Sequence, residues 1–131
     1  MKKKAVEYFN NGFSCSESIV KAAIDEGFCS EEMLACSTSF SGGMSSGCLC
    51  GAIAGGQIVL GSCFGRKNKF NNPEQAREKS KELIDGFVEK NKHTCCRILS
   101  KNVEGQNKKQ HCSKFVNDVV EIVENLLPAR V

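Results

Sequence analysis

SGGMSSGCLCGAIAGGQIVLGSCFG, residues Ser41 to Gly65, decides the fold. A glycine-rich loop leads to Cys48 and Cys50, and an apolar run without a charged residue follows, from Ala52 to Phe64. A helix that is apolar on every side must be buried. The stretch therefore reads as a loop feeding a central helix, with Cys50 at or near its N-terminus. Gly51 and Gly55 are four apart, as are Ala52 and Gly56. Each glycine costs a helix about 1 kcal/mol relative to alanine, and small residues at that spacing read as close packing against neighbouring helices.

Outward from that core the segments are amphipathic. Lys2 to Asn10 predicts a short helix carrying Ala5, Val6 and Phe9, ended by Asn11-Gly12. Ser14 and Glu17 have capping-box spacing, which puts Cys15 at the first position of a second helix running to Gly27. Ser30-Glu31-Glu32-Met33 predicts another capping box, with a helix to about Ser39. Asn72-Pro73-Glu74 is a helix start with a cap, a proline and an acid in the first turn. The face of that helix is Ala76, Ser80, Leu83, Ile84, Phe87 and Val88. His93 to Leu99 is a short structured piece, and Lys101 to Gln110 reads as a polar, mobile, solvated loop. Cys112-Ser113 then predicts the start of a last helix, with Phe115, Val116, Val119, Val120, Val123, Leu126 and Leu127 inward and Pro128 at its end. No segment alternates as a strand does. The expectation is an all-α fold, a compact helical bundle around a buried Gly/Ala-rich central helix, with residues 1–131 as one redox or metal-binding domain.

Charge and composition narrow the function. The net charge is +3, spread along the chain, and aromatics are only 7%, which excludes a stacking nucleic-acid surface. The apolar run is shorter than the roughly 20 residues of a bilayer span, and the basic start lacks the apolar region of a signal peptide. These features predict a cytoplasmic protein without a membrane span. Nine cysteines in 131 residues is an odd number, and structural disulfides are rare in a reducing compartment. Metal binding or redox chemistry is the better match. Cys29, Cys36 and Cys63 are expected to be small buried hydrophobes.

Cys15, Cys50 and Cys112 each fall at a predicted helix start, where free N–H groups favour the thiolate, so each is expected to have a lowered pKa. Cys96 is the fourth candidate. If the helix starts converge, the four form a thiolate nest suited to a metal ion or an iron–sulfur cluster. The spacings match neither a zinc finger nor a ferredoxin run. Cys48-Leu49-Cys50 is a C-x-C and Cys95-Cys96 a vicinal pair. Gly42 to Gly47 lacks the Lys-Ser/Thr ending of a phosphate loop and is expected to bring backbone N–H donors close to the sulfurs. His93 and His111 flank the late cysteines and are expected to be exposed, with a ligand or general-base role as the alternative.

Cys50-Gly51-Ala52-Ile53-Ala54-Gly55 is a CGAxxG motif. It lies between Gly12-Phe13-Ser14-Cys15-Ser16-Glu17-Ser18 and two late cysteines, in Cys96-Arg97-Ile98-Leu99 and Cys112-Ser113-Lys114-Phe115-Val116. This resembles the redox-active family named for its C-GCAxxG-C-C pattern, over nearly the whole chain. The same kind of domain is associated with split-Soret cytochromes, which carry an iron–sulfur centre. The resemblance implies Cys15, Cys50, Cys96 and Cys112 as the metal or cofactor-binding set and a redox or iron–sulfur role. The first reading is therefore an iron–sulfur cluster on these four that passes electrons to a redox partner protein, with zinc or no cofactor as the alternatives. Haem is not carried over, because there is no C-x-x-C-H. The additional Cys48 and Cys95 are possible substitutes within their pairs. Two alternatives stand beside this reading. One is a thiol–disulfide oxidoreductase that uses Cys50 as nucleophile and Cys48 as resolving thiol, with no metal. The other is a structural zinc site in an interaction domain. A cluster shared across a homodimer is compatible with each metal reading.

Overall fold

Ser14 opens a helix by the chemistry its position dictates. Its hydroxyl accepts from the Glu17 amide, and the Glu17 carboxylate accepts from the Ser14 amide at 2.9 Å. In the computed structural model, which describes residues 1–103 and 106–128, this is the second of seven helices among the described residues. They are α1 (Lys2–Asn10), α2 (Cys15–Asp25), α3 (Glu32–Thr38), α4 (Gly51–Phe64), α5 (Glu74–Asn91), α6 (Cys96–Leu99) and α7 (Gln106–Leu126). The architecture is all-α and compact. Among the described residues the β pairing is one isolated antiparallel bridge between Leu49 and Cys95. No helix there is long and apolar enough to cross a membrane.

α4 is the centre, packed by α2, α5 and α7. Ala52, Ile53, Ala54, Val59 and Leu60 are buried. Three of its glycines, Gly51, Gly55 and Gly56, are contact points. A Cβ on Gly55 would meet the Ser16 backbone oxygen at 2.7 Å, and one on Gly56 would meet Val119 at 2.8 Å and Leu83 at 2.9 Å. α2 and α4 run parallel: Cys15 and Ser16 lie against Gly51 and Gly55, while Phe28 meets Cys63 at the other end. Leu83 and Phe87 of α5 and Phe115, Val116, Val119, Val120 and Val123 of α7 close the core. Side chains of this size contribute about 1.5–3 kcal/mol each when fully buried.

Several expectations need correction. α7 begins at Gln106, so Cys112 is its seventh residue and not its start; residues 106–110, read as loop, are helix, while positions 104 and 105 lie outside the described residues. Glu31 precedes α3 without any side-chain cap bond, so no capping box forms there. Asn72 does cap α5, its Oδ1 accepting from the Glu74 amide at 2.9 Å, although the helix proper starts after Pro73. Val88 is exposed, not inward. Cys36 is exposed and Cys63 is half-buried, so neither is a buried hydrophobe, while Cys29 is half-buried and packs against the core.

Candidate functional site

The two cysteine pairs are zipped together by the backbone. The Cys50 amide donates to the Thr94 carbonyl at 2.7 Å, and the Cys96 amide donates to the Cys48 carbonyl at 2.5 Å, on either side of the Leu49–Cys95 bridge. This pairing sorts each pair into an inner and an outer member. Cys50 caps α4 and is 5% exposed, and Cys96 opens α6. Cys48 is exposed with its thiol 3.9 Å from the Ser46 carbonyl, and the Cys95 thiol donates to the Gly47 carbonyl at 3.3 Å.

Cys15 arrives as the first residue of α2, and Cys112 from α7, one turn before Phe115. Cys15, Cys50, Cys96 and Cys112 line one small, partly enclosed cavity of about 20 Å³, together with Gly51, Leu99, Ser100 and Phe115. Three of them, Cys15, Cys96 and Cys112, also line a cleft of about 260 Å³ that opens to solvent past Phe9, Gly42, Lys108 and Lys109. The structure thus brings together sulfurs from four separate segments. It does not draw them into a finished ligand sphere: among the described residues no group of three or more His, Cys, Asp or Glu side chains is placed to hold a metal ion.

The electrostatics reverse the sequence-based expectation. Burial pushes the Cys50 thiol up to about 12, and the neighbouring Cys15 adds to this, against hydrogen bonds from the Ile53 and Ala52 amides. Burial likewise raises Cys15, against bonds from the Gly42 and Ser16 amides. Cys112 is raised by burial and by Cys15 and Cys96, against the charges of Lys108 and Lys109. The helix-end donors are present at Cys15 and Cys50, but desolvation of the charged form outweighs them. Cys112 lies inside α7 and has no free helix end of its own.

The glycine-rich loop has an unusual backbone. Gly42, Gly43, Met44 and Ser45 are four successive residues with φ between 57° and 68°, a left-handed turn, and Gly47 has φ 71°. L-residues disfavour this region by about 1–2 kcal/mol each. The turn is fixed by the Cys48 amide on the Gly43 carbonyl at 2.8 Å and by Arg97, whose Nη2 donates to the Ser46 carbonyl at 2.9 Å. Gly43 is needed as glycine for a second reason: a Cβ there would lie 2.6 Å from the Cys96 Cβ. The loop therefore does bring backbone close to the thiols, with the Gly42 amide bonded to Cys15.

Lys109, expected in a solvated loop, is a half-buried residue of α7. Its Nζ donates to the Phe13 carbonyl at 3.0 Å and sits 3.9 Å from the centroid of the Phe9 ring, across the mouth of the cleft. The signal was its spacing, three before Cys112, which becomes informative once α7 is known to begin upstream. His111, expected to be exposed, is half-buried; its Nε2 pairs with the Leu99 carbonyl at 2.7 Å and its ring meets Phe115 edge-on. His93 is exposed.

The family model described as "Putative redox-active protein (C_GCAxxG_C_C)" matches residues 13–126. No curated protein matches the chain. No solved structure matches it either.

Proposed function

The chain belongs to the C_GCAxxG_C_C family, and from that premise we propose that Cys15, Cys50, Cys96 and Cys112 form a thiolate-ligated redox centre, an iron–sulfur cluster, that exchanges electrons with a partner protein. The observation that carries this reading is the shared cavity of the four sulfurs. Thiolates suit iron–sulfur and zinc sites, and buried thiols that raise one another's pKa are stabilised as thiolates by a cation between them. The backbone N–H groups of Gly42, Ala52 and Ile53, which already bond to Cys15 and Cys50, are donors of the kind that tune a cluster's potential. The inner space of about 20 Å³ admits one water-sized sphere. A single ion fits it once the sulfurs close in. A multi-iron group needs the wall that Cys15, Cys96 and Cys112 share with the outer cleft. When bound, such a group supplies one-electron chemistry at a potential set by its surroundings.

The same protonation state ranks this reading above a thiol–disulfide oxidoreductase led by Cys50. A thiol at about 12 is ionised to only on the order of one part in 10⁵ at neutral pH, and the thiolate is the nucleophile. Cys48, the resolving candidate, is directed to the outer surface.

Anaerobic purification tests the proposal. Visible absorption with acid-labile sulfide is the expected result. Colourless protein with stoichiometric zinc and no redox response replaces the cluster with a structural zinc site. A colourless protein with a reversible two-electron thiol titration overturns the metal reading. Cys50→Ser is expected to abolish bound metal, whereas Cys36→Ser, Cys48→Ser and Cys95→Ser retain it.

A further inference from the structure

Two thiols outside the four-cysteine site lie close together at the other end of α2 and α4. Cys29 follows the C-terminal turn of α2, where Gly27 reverses the chain at φ 82°, and Cys63 lies in the last turn of α4. The Cys63 thiol donates to the Phe28 carbonyl at 3.6 Å, on the peptide that carries the Cys29 amide. The Ser62 hydroxyl, beside Cys63, hydrogen-bonds Cys29. The contacts are reciprocal: each thiol meets the residue next to the other one. Both side chains are half-buried, so a small reagent reaches them.

The spacing along the two helices is matched. Cys15 and Cys29 are 14 positions apart and Cys50 and Cys63 are 13 apart. At about 1.5 Å per helical residue, this places the second pair about 20 Å from the four-cysteine site. Parallel α2 and α4 therefore carry one set of thiols at their N-terminal ends and another at their C-terminal ends.

We propose that Cys29 and Cys63 are a second redox site, a dithiol that closes reversibly to an intramolecular disulfide when a low-molecular-weight disulfide such as oxidised glutathione acts as oxidant. One thiol loses its proton and attacks the oxidant; a protein–glutathione S–S bond forms, the glutathione S–S bond breaks, and one glutathione leaves and takes up the proton. The second thiol loses its proton and attacks the protein sulfur of that mixed disulfide. The Cys29–Cys63 bond forms and the second glutathione leaves with that proton. The protein gives up two electrons and one oxidised glutathione becomes two reduced ones. The bond ties the C-terminal ends of α2 and α4 together.

Burial raises both thiols, and Cys63 is raised further by the closeness of Cys29. The reaction is accordingly slow at neutral pH and faster toward pH 9. The experiment is redox titration of the full-length protein in glutathione buffers, with free thiols blocked by alkylation, disulfides then reduced and labelled, and each cysteine quantified by peptide mass spectrometry. The expected result is that Cys29 and Cys63 oxidise in one transition whose midpoint follows the square of reduced over the first power of oxidised glutathione. In Cys29→Ser the Cys63 thiol is expected to be trapped as a glutathione adduct, and in Cys63→Ser the Cys29 thiol is. Independent oxidation of the two positions in the parent protein, each as its own adduct, overturns the proposal. So does retention of both free thiols across the whole range.

Discussion

The Cys15 sulfur packs so closely on Gly51 that a Cβ there would clash with it. The first glycine of the CGAxxG motif is therefore a seat for the thiol of another helix, and the second, Gly55, is a seat for that helix's backbone at Ser16. Gly51→Ala is expected to displace Cys15 and cost about 1–3 kcal/mol, the range for overpacking a filled site. Gly61 is the control, since a Cβ there meets nothing within 4 Å. Gly61→Ala is expected to gain up to about 1 kcal/mol from helix propensity. Urea unfolding of the two variants makes the comparison, and a Gly51→Ala protein as stable as the parent would remove the packing explanation.

Stability of the metal-free, reduced protein should fall at alkaline pH. Cys15, Cys50 and Cys112 are all raised from 9.0, so the folded state holds protons that the unfolded chain releases. Their contribution is fully present below pH 9 and is lost as pH rises through that value toward the folded pKa, about 12 for Cys50. Each unit of difference corresponds to about 1.4 kcal/mol. Urea midpoints measured from pH 7 to pH 10 are expected to stay level and then drop above pH 9, with a shallower drop in Cys50→Ala. If the proposed thiolate-ligated centre is correct, loading a metal at neutral pH should release protons for the same reason.

Where the sequence carried a local chemical signal, the site was legible. Ser14 and Glu17 fixed Cys15 at the first turn of α2, and the uncharged run fixed α4 and its N-terminal Cys50. α7 was misplaced because its first two turns, from Gln106 to His111, are polar on every side. A hydrophobic period begins only at Phe115, so Cys112 looked like a boundary. The thiol pKa directions were missed for a different reason. A cap reveals the donors at a helix end, but burial there depends on which other helices pack over it. The pairing of 48–50 with 94–96 was equally hidden, because a single bridge has no alternating pattern to read.

The left-handed turn makes a prediction of opposite sign to most substitutions near a site. Ser45 is exposed, has φ 57°, and its hydroxyl makes only long contacts, 3.3 Å to the Ser39 carbonyl and 3.4 Å to the Ser41 carbonyl. Glycine adopts this conformation without steric cost. Ser45→Gly is expected to stabilise the protein by up to about 1 kcal/mol, whereas Ser45→Val, with its branched Cβ, should destabilise it by at least as much. Thermal melts of the pair test this; destabilisation by glycine would mean that the hydroxyl contacts outweigh the backbone strain.

Lys109 is expected to limit access to the thiols, because it stands at the mouth of the cleft that they line. Its ammonium bridges α7 to the Phe13 carbonyl, covers the Phe9 ring, and lies on the cleft that reaches Cys15, Cys96 and Cys112. A hydrogen bond and a cation–π contact of about 0.5–1 kcal/mol hold it there, which is enough to keep it in place most of the time and small enough to let it swing aside. Its charge also favours the Cys112 thiolate, so removing it acts on reactivity in two opposed ways. With an uncharged alkylating reagent, opening the mouth should dominate. N-ethylmaleimide labelling of Cys15 and Cys112 in the metal-free protein is expected to speed up several-fold in Lys109→Ala, and to stay near the parent rate in Lys109→Arg, which keeps both the charge and the reach. Lys108→Ala, an exposed neighbour on the same cleft, serves as the control for lost charge alone. Equal rates in Lys109→Ala and Lys108→Ala would show that charge and not covering governs entry.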